Sequence, residues 1–191
     1  MKRWLVLATA LAAGGCGGGP APSSYAGDES REIKALDDAE VAGLLAGEGL
    51  GFARAAERNG FPGPRHVLDA AAELELTDDQ RARVQAIFDR MSAEAVRLGR
   101  ELVEGERTLD SLFAAGAAAP PAVAPPAVAE RAVALGTLRG RLRNVHLQAH
   151  LETAPLLTEG QRMRYREVRG YDAAPGGGPT TDPDHAGHAG H

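Results

Sequence analysis

The chain has 191 residues, with 26 acidic against 21 basic side chains and a formal charge of −5. This balance argues against nucleic acid as a partner, because neutralising phosphates requires clustered Lys and Arg. A single cysteine excludes an internal disulfide, and a 4% share of aromatic residues beside abundant Ala, Leu, Arg and Glu favours one modest all-helical domain.

Residues 1–15 follow the plan of a secretory signal peptide. Lys2 and Arg3 give a basic start, and the apolar run after them is shorter than the about 20 residues that a membrane-spanning helix needs. We therefore expect cleavage. It would remove two basic residues and no acidic residue, which changes the formal charge to −7.

Small residues precede Cys16 and resemble a bacterial lipobox, with Ala13 at the position where leucine is usual. The resemblance implies a diacylated Cys16 that anchors the mature chain to a membrane. Gly17, rather than Asp, follows the cysteine, which favours the outer membrane by analogy with Gram-negative lipoproteins. The alternative is ordinary cleavage at small residues, with Cys16 incidental. In either case we expect the protein in the periplasm.

Composition divides the mature chain into a tether, one domain and a tail. Residues 16–31 contain the lipidated cysteine and a stretch rich in Gly, Pro and Ser, which is typical of a flexible tether. Residues 172–191 consist mainly of Gly, Pro, Thr, Asp and His, and we expect them to be disordered. The helical domain is predicted to occupy residues 32–171.

Three helices are predicted to begin with a capping box, in which the cap side chain and a Glu or Gln three residues later each bond the other's backbone amide. The pairs are Asp37 with Glu40, Thr77 with Gln80, and Thr158 with Gln161. They predict helices over 37–58, from Thr77 onward, and over 158–169. The glycines at 47, 49 and 51 indicate a weak helix or a break in the first of these.

Two long segments, 84–112 and 128–149, carry apolar residues at three- and four-residue steps, which predicts two long amphipathic helices. The proline-rich stretch between them cannot continue a helix, so the second is predicted to begin near Ala127 and to end before Pro155. This pattern predicts a long antiparallel hairpin. Short flanking helices, including a segment over 66–75, would pack on it, and self-association is another way to cover its apolar surface.

The segments Leu76-Thr77-x-x-Gln80 and Leu157-Thr158-x-x-Gln161, which lie around the predicted hairpin, resemble the LTxxQ family of periplasmic proteins. This family includes the Spy and CpxP proteins, with the metal-responsive ZraP and CnrX types as relatives. The resemblance covers residues 65–170. It implies a helical hairpin, commonly a homodimer with a curved apolar cradle, and either ATP-independent chaperone activity or metal-responsive regulation. The six motif residues would define the fold and would not be catalytic.

On the chaperone interpretation, the apolar face of the hairpin would hold unfolded or misfolded envelope proteins without nucleotide. The residues predicted to form this binding face are Leu98, Leu102, Leu109, Leu135, Leu138 and Leu142.

His146 and His150 suggest a second possibility, a metal site. Their spacing places both imidazoles on one helix face, as in helical sites for transition metals. In the predicted hairpin, Glu94 and Met91 would lie opposite and supply further ligands. The alternative is that both histidines simply cover the apolar seam.

The tail offers a separate set of metal ligands, namely His185, His188 and His191. Because ordering a flexible tail costs entropy, its affinity should be modest. The alternative is compositional drift in a solvated tail. Histidine ligands do not distinguish Zn, Ni, Co and Cu.

No pattern typical of an enzyme occurs in the chain. The sequence contains no Gly-x-Ser-x-Gly, no candidate cysteine nucleophile and no paired carboxylates in a recognisable frame. We therefore expect no enzymatic activity and no required cofactor. Three hypotheses follow: a chaperone or stress-response binding protein, a heavy-metal sensor or buffer, and a passive structural lipoprotein.

Overall fold

The computed structural model describes residues 23–118 and 123–171, which contain six α-helices and no strand. The helices are α1 (Asp38–Ala46), α2 (Arg54–Arg58), α3 (Pro64–Asp69), α4 (Asp78–Ala118), α5 (Pro125–Thr153) and α6 (Glu159–Val168). Short 3-10 turns lie at Asp28–Ser30 and Ala154–Leu156. The prediction of an all-helical chain is confirmed. The expected signal peptide, Cys16 and the tail from residue 172 lie outside the described residues.

None of the helices in the two described ranges has both the length and the apolar character needed to cross a bilayer.

Helices α4 and α5 lie side by side and run in opposite chain directions. Arg90, near the beginning of α4, pairs with Glu152 at the end of α5, 2.7 Å apart. Further along α4, the buried carboxylate of Glu106 pairs with Arg139 at 2.9 Å. Helix α5 begins at Pro125, two residues before the predicted start. The first turn of a helix tolerates proline, because an N–H there has no partner within the helix.

The predicted helix over 37–58 is wrong in part, because the chain forms two helices there. Helix α1 ends at Gly47, where φ is 70°. Leu50 and Gly51 also have positive φ, at 41° and 74°. These left-handed residues cannot continue a right-handed helix, and α2 starts only at Arg54.

Helix α1 crosses α4 at a position without a side chain. A Cβ added at Gly99 would overlap the backbone carbonyl oxygen of Leu44 and lie 2.8 Å from its carbonyl carbon. The two helix backbones therefore approach closely, and α1 packs on α4. The core beneath it consists of Ile33, Leu36, Leu44, Ala95, Leu98, Leu102, Val103, Leu135 and Leu142.

This packing buries most of the leucines that were predicted to form the client-binding face. Four of its leucines are at most 5% exposed and belong to the core that α4 and α5 share with α1 and the segment before it; they are Leu98, Leu102, Leu135 and Leu142. Leu109 and Leu138 are partly buried against the same core. The four covered side chains stabilise the interior and offer no surface to a client in this structure.

A second, smaller core lies where α3, the beginning of α4 and α6 meet. Its buried residues are Val67, Ala70, Leu74, Val84, Leu157 and Tyr165. Leu76 packs against this core from its edge. The leucines of both LTxxQ-like motifs therefore belong to one hydrophobic cluster, which brings the polar residues of the motifs close together.

Candidate functional site

The two LTxxQ-like motifs meet through their glutamines. Nε2 of Gln80 donates to Oε1 of Gln161, and Nε2 of Gln161 donates to Oε1 of Gln80, both at 2.9 Å. The two side-chain amides thus form a reciprocal pair, which we call the glutamine joint. It connects the first turn of α4 with the first turn of α6.

Each glutamine also completes the capping box of its own helix. Oε1 of Gln80 accepts from the Thr77 amide at 3.1 Å, and Oε1 of Gln161 accepts from the Thr158 amide at 2.9 Å. In return, each threonine hydroxyl accepts from the amide of its glutamine at 3.2 Å. The capping boxes predicted from the sequence are therefore present at both helices, as is the box at α1.

The same side chains reach the segment that precedes the other motif. Nε2 of Gln80 donates to the Leu156 carbonyl at 2.8 Å, and Nε2 of Gln161 donates to the Leu74 carbonyl at 3.2 Å. Every donor and acceptor of the two side-chain amides therefore has a hydrogen-bond partner, and both amides are partly buried. Neutral, fully bonded amides fix geometry and provide neither a nucleophile nor a base.

Replacing Gln80 or Gln161 by glutamate should isolate the contribution of the joint. Glutamate still completes a capping box but lacks the amide donor, so each single variant should lose about 1–3 kcal/mol of unfolding free energy. The double variant should lose more than the two single losses together at pH 7, because two carboxylates then face each other. Urea denaturation measures these differences.

The exposed Gln148 on α5 provides the matched control, because Gln148→Glu makes the same chemical change where only a local bond to Asn144 exists. If Gln80→Glu and Gln161→Glu lower the free energy of unfolding no more than this control does, the joint does not stabilise the domain.

A second polar cluster surrounds the carboxylate of Glu57 on α2, whose side chain is 12% exposed. Its Oε1 accepts from the hydroxyl of Tyr165 at 2.5 Å and from that of Tyr171 at 2.8 Å. Its Oε2 accepts from the Gly63 amide at 3.2 Å. Burial and the adjacent Glu57 carboxylate raise the pKa of both tyrosines. The cluster ties α2 to α6 and to the residues just beyond it.

Sequence reasoning missed this cluster. The two tyrosines lie 108 and 114 positions from Glu57, so no local spacing indicates the contact. Only the amino-acid composition gave an indication of this cluster. Only three tyrosines occur in the chain, and two of them, Tyr165 and Tyr171, fall within one short C-terminal stretch.

Both candidate histidines of α5 are buried and engaged with α2 and its flanking loops. His146 stacks on Phe52, with ring centroids 5.9 Å apart. Nδ1 of His150 lies 2.7 Å from the Phe61 carbonyl oxygen, which can only accept, so Nδ1 carries the donated proton. The same nitrogen lies 3.5 Å from Oε2 of Glu57.

The other proposed metal ligands are Glu94 and Met91 on α4 and the histidines of the tail. Glu94 forms an ion pair with Arg97, and the hydrogen bond from Arg97 lowers the pKa of Glu94. Met91 is half-buried on the same helix. Within residues 23–118 and 123–171, no three His, Cys, Asp or Glu side chains are grouped so as to hold a metal. The tail histidines lie outside the described residues, and metal binding there stays a prediction.

No protein-family model, curated protein or solved structure that was compared with the chain matches it. The function is therefore proposed from the contacts within this chain and from the resemblance of its two motifs.

Proposed function

We propose that the protein is an envelope lipoprotein of the Spy/CpxP type that acts as an ATP-independent chaperone or stress-response binding protein in the periplasm. The glutamine joint is the observation that carries the proposal. A single capping box is common, but two boxes that bond each other through their glutamines form one feature, which supports the resemblance to LTxxQ proteins. Helices α4 and α5 would then be the long antiparallel hairpin of that family.

Client binding needs exposed apolar surface, and the described residues include it near the end of α4 and the beginning of α5. Phe113 is 52% exposed and Val133 is 71% exposed. Phe113 lies beyond Asp110, where Lys34 forms an ion pair with α4. We place client contacts on this outer part of the two helices, in place of the covered leucines. A homodimer would enlarge this surface, and a lipid on Cys16 would hold it at the membrane.

We expect the mature chain to suppress the aggregation of a denatured client at a stoichiometric ratio without nucleotide. A Phe113→Ser/Val133→Ser variant should protect less, because it removes exposed apolar contacts, while its stability should change by only about 0.5 kcal/mol. Light scattering of a client diluted from urea measures the protection. Leu151→Ser, on a side chain that is 48% exposed near the other end of α5, is the control.

An unprotected client would refute the chaperone function and leave two hypotheses, the heavy-metal sensor or buffer and the passive structural lipoprotein. Protection that Phe113→Ser/Val133→Ser leaves unchanged would place client contacts on another part of the surface.

A further inference from the structure

The end of the α4–α5 pair at which α4 ends and α5 begins carries no charge. Between Asp110 on α4 and Glu130 on α5 the sequence has no charged residue, and residues 112–129 are all Ala, Gly, Pro, Val, Leu or Phe. We call residues 112–117 and 123–129, the part of this stretch whose side chains the structure describes, the apolar tip. Nine of these thirteen residues are exposed. Continuous exposed apolar surface on a folded domain marks a contact with another molecule.

The chain enters the domain beside this tip. Before α1, Glu32 pairs with Arg107 of α4 at 2.9 Å, and Lys34 pairs with Asp110 of α4 at 3.3 Å. Phe113, the most prominent side chain of the tip at 52% exposed, follows Asp110 by three residues, which is about 4.5 Å along a helix. The segment that leads from the N-terminus therefore meets α4 within one helical turn of the apolar tip.

The connection from the predicted lipid to this segment is short. The described chain begins at Ser23, seven positions after Cys16. Seven residues span at most about 25 Å even when fully extended. A lipid on Cys16 would therefore hold the start of the described chain near the bilayer, and the contacts at Arg107 and Asp110 then place the apolar tip within reach of the same bilayer.

We infer that the apolar tip lies on the surface of the lipid bilayer that holds Cys16, with Phe113 at the boundary between headgroups and acyl chains. Apolar side chains enter this boundary while the polar remainder of a protein stays in water. Small Ala and Pro side chains gain little free energy there, but a lipid anchor makes the contact intramolecular and so raises its effective concentration. The inference rests on the lipid anchor of the proposed function, and it makes the bilayer the occupant of the tip when no client is bound.

Tryptophan fluorescence tests the inference on the mature chain, coupled through Cys16, its only cysteine, to a maleimide lipid in phosphatidylcholine vesicles. The only tryptophan of the sequence is Trp4, in the expected signal peptide, so Phe113→Trp gives the mature chain a single reporter. Its emission should shift to shorter wavelength on coupling, and brominated phosphatidylcholine should quench it. Leu151→Trp is the control, because Leu151 is 48% exposed but lies near the other end of α5. It should show neither change.

Adding Ala124→Asp/Ala127→Asp to Phe113→Trp separates membrane contact from folding. Ala124 is the N-cap of α5 and Ala127 lies in its first turn, where aspartate favours the helix. The variant should therefore stay folded and yet lose the shift and the quenching, because a carboxylate is costly to bury in apolar surroundings. Ala82→Asp/Ala86→Asp, which adds the same charges at exposed positions near the beginning of α4, should leave both signals unchanged.

An unchanged emission of the reporter at position 113 after coupling would overturn the inference, as would equal quenching of the reporter at position 151. Emission at position 113 that shifts with protein concentration in the uncoupled chain would assign the tip to a second copy of the chain instead. The chaperone function is measured separately, by light scattering with the uncoupled chain. A chain that protects no client but shows the shift and the quenching keeps the membrane contact and loses the chaperone function, and the reverse result loses only the membrane contact.

Discussion

Replacing Gly99 by alanine should lower the free energy of unfolding by about 2 kcal/mol and detach α1 from α4. The added Cβ would overlap the carbonyl oxygen of Leu44 and lie 2.8 Å from the carbonyl carbon. Both are backbone atoms, so no side-chain rotation relieves the clash, and α1 must move as a unit. Overpacking of this kind costs about 1–3 kcal/mol or more, which outweighs the roughly 1 kcal/mol that alanine gains over glycine inside a helix.

Gly140→Ala is the matched control, because Gly140 is exposed on α5 and a Cβ there would meet nothing within 4 Å. This variant should gain about 0.5–1 kcal/mol from helix propensity alone. Urea denaturation of the two variants should therefore give shifts of opposite sign. If Gly99→Ala is also stabilising, α1 does not cross α4 at this position.

Replacing Glu57 by alanine should cost about 3 kcal/mol or more. The change removes the acceptor of two tyrosine hydroxyls and of the Gly63 amide. Tyr165 is only 3% exposed, so water cannot readily replace the lost acceptor. A buried donor that loses its acceptor costs about 1–3 kcal/mol, and several such groups are affected at once. Equilibrium unfolding in urea at neutral pH measures the loss.

Two further variants separate this mechanism from a general effect of losing a carboxylate. Glu73→Ala removes an exposed carboxylate from the turn before α4 and should change stability by less than about 0.5 kcal/mol. Adding Tyr165→Phe to Glu57→Ala should cost less than the separate losses predict, because the orphaned hydroxyl is then gone. Strict additivity would show that the hydroxyl and the carboxylate do not interact.

Features of the fold that depend on neighbouring residues could be predicted from the sequence. The starts of α1, α4 and α6 follow from side chains three positions apart, and the long helices follow from apolar periodicity. The packing of α1 on α4 could not be predicted in this way. It depends on the close approach at Gly99, and a glycine within a helical pattern indicates by itself only a weaker helix.

In the candidate site, too, contacts between neighbouring residues could be predicted from the sequence, whereas contacts between distant residues could not. The resemblance implied that Gln80 and Gln161 define the fold, whereas their direct contact required the structure. The environment of His150 could not be predicted at all, since Phe61 and Glu57 approach it from far along the chain. A helical spacing of two histidines indicates a shared face but not what covers that face.

The glutamine joint also determines at what point of synthesis the domain can be completed. Gln80 and Gln161 are separated by 81 positions, and α6 is the last helix of the described chain to emerge. Until it does, the Gln80 amide and the Leu74 carbonyl lack their long-range partners, while α4 and α5 can already pair. Contacts between distant positions form late, because the intervening chain must first be ordered. A nascent chain, or one clipped before α6, would therefore keep its long helices and leave the beginning of α4 open to proteases.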